Sequence, residues 1–232
     1  MILESIAPLI SLIVLEVILG IDNIIFISIL AAKLPEKEGN KLRYWGIGLA
    51  MIMRLVLLGV IAWILKLEIS LFTVLGNEIS GKDLILIAGG LFLLYKSTTE
   101  IFEKTETEDD GGPEIKGKRT FGRLLIEALL LDIIFSIDSI ITAVGLVEEL
   151  WIMYTAVIVT VFIMLAASKS ISNFIHKHPS FKVLALCFLM MIGVSLLAEG
   201  FGYGIPKGYI YFSMAFAFFV DIVQIRALKK NT

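Results

Sequence analysis

The chain has 232 residues, of which 58% are hydrophobic and only 18% charged, and its mean hydropathy is +0.92. A water-soluble domain of this length could not bury so much apolar surface, so the composition indicates an integral membrane protein. The net charge of −2 gives no basis for nucleic-acid binding, and the single cysteine, Cys187, excludes both an intramolecular disulfide and a cysteine-rich metal site.

Seven apolar segments are long enough to cross a bilayer, which requires about 20 residues in a helix. In chain order they are predicted at residues 5–32, 44–66, 82–99, 121–147, 151–174, 181–200 and 208–226. Polar stretches such as "KLPEKEGNK" and "GNEISGK" separate them, and several tryptophans and tyrosines fall near their ends, as interfacial aromatics do. The sequence therefore predicts an all-α, polytopic membrane protein with seven transmembrane helices in a single membrane domain, 1–232.

Lysine and arginine are concentrated in alternate loops. One set holds most of them: Lys33, Lys37, Lys41, Arg43, Lys96, Lys104, Lys116, Lys118, Arg119, Arg123, Lys169, Lys177, Lys182, Arg226, Lys229 and Lys230. The opposite set holds only Lys66, Lys82 and Lys207. Because basic loops remain in the cytoplasm, we predict an inner (plasma) membrane protein with its N-terminus outside and its C-terminus inside.

The segment 100–120 is polar, mixed in charge and rich in turn-forming residues. This composition is typical of a flexible linker, and the charge asymmetry assigns it to the cytoplasm.

The two halves of the chain carry related polar motifs. A shift of 116 positions places Glu16 on Asp132, Asp22 on Asp138 and Asn23 on Ser139. A weaker match pairs "GLFLLYK" (90–96) with "GVSLLAE" (193–199). Because three spans separate the copies, the second enters the membrane in the opposite sense. We therefore predict an inverted repeat of three-helix units at 5–99 and 121–200, with the helix at 208–226 outside it.

The motif residues have a demanding environment. An acidic side chain at the centre of a membrane helix costs about 2.5–3.5 kcal/mol on insertion scales, so each of the four should face the interior and hold a proton, a cation or a basic partner. In a regular helix, Glu16 and Asn23 share a face with Gly20, whereas Asp22 lies roughly 120° away. Unwinding at Gly20 would bring both carboxylates of the first motif to one point.

Oxygen ligands of this kind suit hard divalent ions such as Mg²⁺, Ca²⁺ and Mn²⁺. The candidate metal ligands are Glu16, Asp22, Asn23, Asp132, Asp138 and Ser139. Four carboxylates around one divalent ion leave excess negative charge, which Arg54 in the second span or bound protons could offset. Exchange of protons for metal would then follow.

Other interpretations remain open. The acids could be structural, hydrogen-bonding between helices or pairing with Arg54. Two membrane-embedded aspartates also allow an intramembrane aspartyl-type hydrolase, although "LGIDN" and "FSIDS" lack the usual flanking motifs of that class. A third reading is an accessory protein that senses metal or loads it onto exported proteins.

The chain resembles the TerC family, named for tellurium resistance and part of the LysE-type transporter superfamily, in its short stand-alone branch. The segments that carry the resemblance are "LEVILGIDNIIFIS", "MRLVLLGVIAWI", "KDLILIAGGLFLLYK", "LLLDIIFSIDSIITAVGL", "HPSFKVLALCFLMMIGVSLLAEGFG" and "IPKGYIYFSMAFA". The resemblance implies export of metal ions, notably manganese, or metal supply to exported enzymes. It also implies that the six candidate ligands occupy the family's acidic-motif positions. The expected function is a non-enzymatic transporter that exports a divalent cation, with Mn²⁺ as the expected ion, the bilayer as its surroundings and no cofactor besides this substrate.

Overall fold

The computed structural model describes residues 2–60, 65, 69–74, 77–106, 120–147 and 149–230. Within these ranges the chain forms seven long helices: α1 (Ile2–Ala31), α2 (Glu36–Gly59), α3 (Gly81–Glu106), α4 (Phe121–Leu146), α5 (Leu150–Lys177), α6 (Pro179–Gly200) and α7 (Lys207–Lys230). Each corresponds to one predicted apolar segment. The all-α, polytopic prediction is confirmed in this sense.

Six of the helices are long and apolar enough to cross a membrane: α1, α2, α3, α5, α6 and α7. Helix α4 is not among them. It carries Asp132 and Asp138 and packs against α1, α2 and α3, so that these acids are surrounded by other helices. By length and composition, six of the seven predicted transmembrane helices are therefore able to cross a membrane.

The predicted bounds hold within a few residues except at α2 and α3. Helix α2 begins at Glu36 and ends at Gly59, whereas the prediction was 44–66. Its polar first turns, with Glu36 and Glu38, obscured its start in a search for apolar runs. Helix α3 continues to Glu106, into the segment expected to be a linker, and residues 107–119 of that segment lie outside the described ranges.

A short hairpin joins α2 to α3, where the sequence indicated only a loop. Strand β1 (Ser70–Val74) pairs antiparallel with β2 (Asn77–Ser80), with Thr73 opposite Glu78. The sequence "LFTV" is rich in residues that favour strands, and the side chains of Leu71 and Phe72 are exposed, as membrane-interface residues can be.

Helices α1 and α4 meet near their polar motifs, while α1 also packs on α5, α2 on α4, and α3 on α6. Two apolar clusters fill the interior. The larger includes residues from the C-terminal part of α1 and from the starts of α2 and α4. The smaller includes Leu12, Leu58, Ile140 and Ile152. The buried polar residues Glu16, Arg54 and Asp132 lie along their helices between residues of these two clusters.

Glycines set two of the close helix approaches. A Cβ on Gly90 of α3 would lie 2.6 Å from the carbonyl oxygen of Gly193 of α6, and one on Gly193 would lie 3.0 Å from that of Gly90. A Cβ on Gly20 of α1 would lie 2.5 Å from Sδ of Met164 on α5. Small residues are common where membrane helices approach closely, because they let the backbones come together.

Candidate functional site

The first part of the site is an ion-pair network around Arg54. Its guanidinium extends from α2 between α1 and α4, where it pairs with Glu16 and lies 3.7 Å (Nη2 to Oδ1) from Asp132. Its Nε also donates to Oγ of Ser136 at 3.1 Å. The side chains of this network are all buried: Glu16, Arg54, Asp132 and Ser136. Because a buried charge is stable only when paired and hydrogen-bonded, this network compensates two of the four motif acids.

Asn23 completes the network from the other side. Its Nδ2 donates to Oδ1 of Asp132 at 2.8 Å, and the hydroxyl of Ser136 donates to Oδ2 of the same carboxylate at 3.2 Å. Ser139, in contrast, donates to the backbone carbonyl of Ser136, as serines inside helices often do. The Arg54 network therefore joins α1, α2 and α4 through partners that satisfy one another.

The remaining two motif acids share a different space. Asp22 and Asp138 both line a small cavity of about 30 Å³, together with Ser195, Lys207 and Tyr211. Asp138 pairs with the ammonium of Lys207, which stands at the first position of α7. A volume of about 30 Å³ equals the share of one water molecule in the liquid, so the cavity has room for one small ion.

Asp22 differs from the other three acids. It is only 5% exposed, yet its carboxylate makes no ion pair and no side-chain hydrogen bond with any residue in the described part of the chain. An ionised carboxylate in such surroundings carries an effective penalty of several kcal/mol. Asp22 is therefore the motif acid with unused capacity to bind a proton or a cation.

A larger cavity of about 900 Å³ adjoins the small one, since Leu19, Asp138, Lys207 and Tyr211 line both. It is bordered by α1 residues from Ile10 to Leu19 and by the segment 204–207 that precedes and begins α7. Lys82 and Glu199, which lie 3.5 Å apart, also line it. Lys82, Glu199 and the segment 204–207 lie at the end of the bundle whose loops contain few basic residues.

The opposite end of the bundle is held by ion pairs between helices. Lys33, two residues after the end of α1, pairs with Glu100 of α3, and Nζ of Lys96 on α3 lies 2.7 Å from Oε2 of Glu127 on α4. Arg123 adds a second, more exposed cation 3.3 Å from Glu127. Helix α3 is thus tied to both motif helices at this end.

The structure corrects one sequence expectation. Helix α1 runs unbroken through Gly20, so Asp22 stays on a different face from Glu16, and the expected meeting of both carboxylates at one point is wrong. Within the described ranges, no three Asp, Glu, His or Cys side chains are grouped to hold one metal ion. The four acids form two pairs, Glu16 with Asp132 and Asp22 with Asp138.

Sequence reasoning missed three residues of the small cavity. The sequence identifies Lys207 only as a loop charge, indicates only an interfacial position for tyrosines near helix ends such as Tyr211, and gives no reason to select Ser195. The spacing of Lys207 and Tyr211 was an available signal, because residues four apart lie on the same face of a helix.

The fold and its buried charges define a multi-pass helical membrane protein. The whole chain, residues 1–232, matches the model of the integral membrane protein TerC family, and it therefore belongs to that family. The resemblance seen in the sequence is confirmed.

Named relatives extend this result. The chain is 48% identical over 223 residues to a UPF0053 protein of Haemophilus influenzae, covering 96% of this chain and 94% of the relative. It is 47% identical to the UPF0053 inner membrane protein YgdQ of Escherichia coli (95% and 92% covered) and 48% identical to the UPF0053 inner membrane protein YoaE (93% and 42% covered). The chain thus spans about two fifths of the length of YoaE. No solved structure matches.

Proposed function

We propose that the protein is an inner membrane transporter that exports a divalent cation, Mn²⁺ being the expected substrate, by alternating access around Asp22 and Asp138. The observation that carries the proposal is the uncompensated, buried carboxylate of Asp22 on a cavity that it shares with its repeat equivalent, Asp138. Membership of an integral membrane protein family and the names of two relatives as inner membrane proteins support the location.

The chemistry of the small cavity suits a hard cation. Two carboxylates and the hydroxyls of Ser195 and Tyr211 are oxygen donors, and none of the lining side chains that the structure describes offers a thiolate or an imidazole. Such donors favour Mg²⁺, Ca²⁺ and Mn²⁺ over softer metals. Two negative charges also balance one divalent ion once the ammonium of Lys207 has moved away.

Lys207 has a natural role in this scheme. With no substrate bound, its ammonium occupies Asp138 and neutralises it. An arriving cation replaces it. The Lys207 side chain is about one-third exposed and stands at the first position of α7, so its ammonium has solvent to turn to when it leaves Asp138. In the Arg54 network, both carboxylates already have the guanidinium as a partner, so this network holds α1, α2 and α4 together instead of binding the substrate.

The two ends of the bundle supply the two access states. The 900 Å³ cavity leads to Asp138 from the end with few basic residues, which the charge asymmetry assigns to the outside. Ion pairs of Lys33 and Lys96 close the other end. Export requires the reverse arrangement, in which these pairs separate and the outer cavity closes.

Internal symmetry makes the reverse arrangement accessible. Gly90 and Gly193, which the repeat aligns, contact each other at the α3–α6 crossing, as equivalent residues do at a twofold axis. The repeat also aligns Glu16 with Asp132, and both lie close to Arg54. It aligns Asp22 with Asp138, and both line the small cavity. These contacts support an inverted repeat, whose halves can exchange conformations.

The test is Mn²⁺ flux in liposomes that contain only the purified chain. We expect uptake or release that is lost in Asp22→Asn and in Asp138→Asn and retained in Asp221→Asn, the same change on α7 outside the two cavities. Intact flux in the first two variants would overturn the site. Flux without any partner protein also separates a transporter from a metal-loading accessory.

The shared cavity of Asp22 and Asp138 is also the one observation that favours an intramembrane hydrolase, since a carboxylate dyad needs such a space for water. The ion pair of Lys207 with Asp138 opposes it, because the ammonium occupies the position that water would need. Cleavage of a membrane-spanning peptide by the purified chain, abolished by Asp22→Asn, would decide for the enzyme.

A further inference from the structure

A basic cavity of about 480 Å³ lies at the end of the bundle opposite to the 900 Å³ cavity, away from all motif acids. It is enclosed by the end of α1, the first turns of α2 and the last turns of α5. Three cations line it: Arg43, Lys169 and Lys177. Among the described residues, Glu36 is the only acidic side chain on its wall, so these side chains give the cavity a formal charge of +2.

Arg43 is the most informative of these residues. Its side chain is only 8% exposed, and its hydrogen-bond partner is the neutral amide oxygen of Asn40. Within the described ranges it makes no ion pair with any carboxylate. A buried guanidinium normally has an anionic partner, and the planar group is well suited to a phosphate. The cavity therefore contains a buried cation without its counter-ion.

The surroundings indicate where the anion comes from. The cavity lies at the membrane boundary, between the last residue of the α1 span, Ala31, and the last turn of the α5 span at Ile175. Tyr44 and Trp45, next to Arg43, are more than half exposed and have the character of interfacial aromatics. Lys169 and Lys177 are exposed and have no ion-pair partner among the residues described. Basic pockets between helices on the cytoplasmic side bind the head groups of anionic lipids.

We propose that this cavity binds the phosphate of an anionic phospholipid of the inner leaflet. Arg43 contacts the phosphate at the buried end, and Asn40 and Asn173 supply neutral hydrogen-bonding groups beside it. Lys169 and Lys177 approach from the exposed side. The acyl chains extend along the lipid-facing surface of the helices. A free anion from the cytoplasm would make no contact with this surface. The site is independent of cation transport.

The test measures thermal unfolding of the purified full-length chain in non-ionic detergent during separate titrations with phosphatidylglycerol, phosphatidylcholine and inorganic phosphate. We expect a saturable rise in Tm with phosphatidylglycerol alone. The double variant Lys169→Met/Lys177→Met should bind it roughly thirtyfold more weakly, since each lysine near an anionic head group contributes about a fivefold factor. The matched control Arg226→Met removes a cation from the same end of the bundle, outside the cavity, and should bind as the unchanged chain does.

Arg43→Met should lose the effect entirely. If that variant fails to fold, the double lysine variant decides, because both of its side chains are exposed. An equal rise in Tm with inorganic phosphate would assign the cavity to a free anion and overturn the lipid proposal. So would an equal rise with phosphatidylcholine, or a double variant that binds phosphatidylglycerol as tightly as Arg226→Met.

Discussion

Gly90 and Gly193 face each other where α3 crosses α6, and each has the other's carbonyl oxygen within 3.0 Å of the place where a Cβ would lie. The predicted repeat also aligns these two residues. Their contact leaves no space for a side chain, because the neighbouring atoms on the Gly90 side belong to the backbone of α6.

Gly90→Ala should therefore lower the free energy of unfolding by about 1–3 kcal/mol, the usual cost of overpacking. Gly48→Ala, in α2, is the matched control, since a Cβ there meets no atom within 4 Å and should be neutral or slightly stabilising. Thermal unfolding in detergent compares the two. Equal stability of both variants would show that the α3–α6 crossing is looser than described.

Arg54 should be among the most important residues for stability. Arg54→Met leaves Glu16 and Asp132 buried without their cation, which costs about 3–5 kcal/mol. The triple variant Arg54→Met/Glu16→Gln/Asp132→Asn removes all three charges together and should recover most of the loss. If the triple variant were no more stable than Arg54→Met, the loss would come from packing and not from unpaired charge.

Lys207 should compete with the transported cation. In Lys207→Met the carboxylate of Asp138 has no ammonium partner, so the KM for Mn²⁺ should fall roughly fivefold, the effect of about 1 kcal/mol for a partly exposed pair. Lys82→Met removes a cation from the wall of the same large cavity, where it pairs with Glu199, and should leave the KM unchanged. An unchanged or higher KM in Lys207→Met would contradict the competition.

The repeat also predicts the path on the other side. Leu15 lines the 900 Å³ cavity, and Leu131, which the predicted repeat aligns with it 116 positions later, is buried. In a Cys187→Ser background, Leu15→Cys should react with a membrane-impermeant thiol reagent and Leu131→Cys should be protected. Adding Lys96→Met, which breaks the ion pair with Glu127, should expose Leu131→Cys from the side that the charge asymmetry predicts to be cytoplasmic.

Arg123→Met serves as the control for that experiment, because Arg123 pairs with Glu127 only within α4 and does not link two helices. If Leu131→Cys is protected as completely with Lys96→Met as with Arg123→Met, the ion pair between Lys96 and Glu127 does not keep this side closed.

The sequence predicts much of the fold and part of the site. Hydropathy locates all seven helices, and the burial of Glu16, Asp22, Asp132 and Asp138 follows from the cost of placing acids in lipid. The division of these acids into two pairs was not predictable. It depends on the regular course of α1 through Gly20 and on partners from α2 and α7 whose distances only the tertiary structure gives. The hairpin was missed because its strands are short and lie between two strong helix signals.

Anomalous X-ray scattering from crystals of the protein soaked in Mn²⁺ tests the central claim most directly. A single peak between the carboxylates of Asp22 and Asp138, with the ammonium of Lys207 displaced, is the predicted result. A peak between Glu16 and Asp132 would contradict it, as would crystals without a peak at Asp22 at Mn²⁺ concentrations that saturate flux.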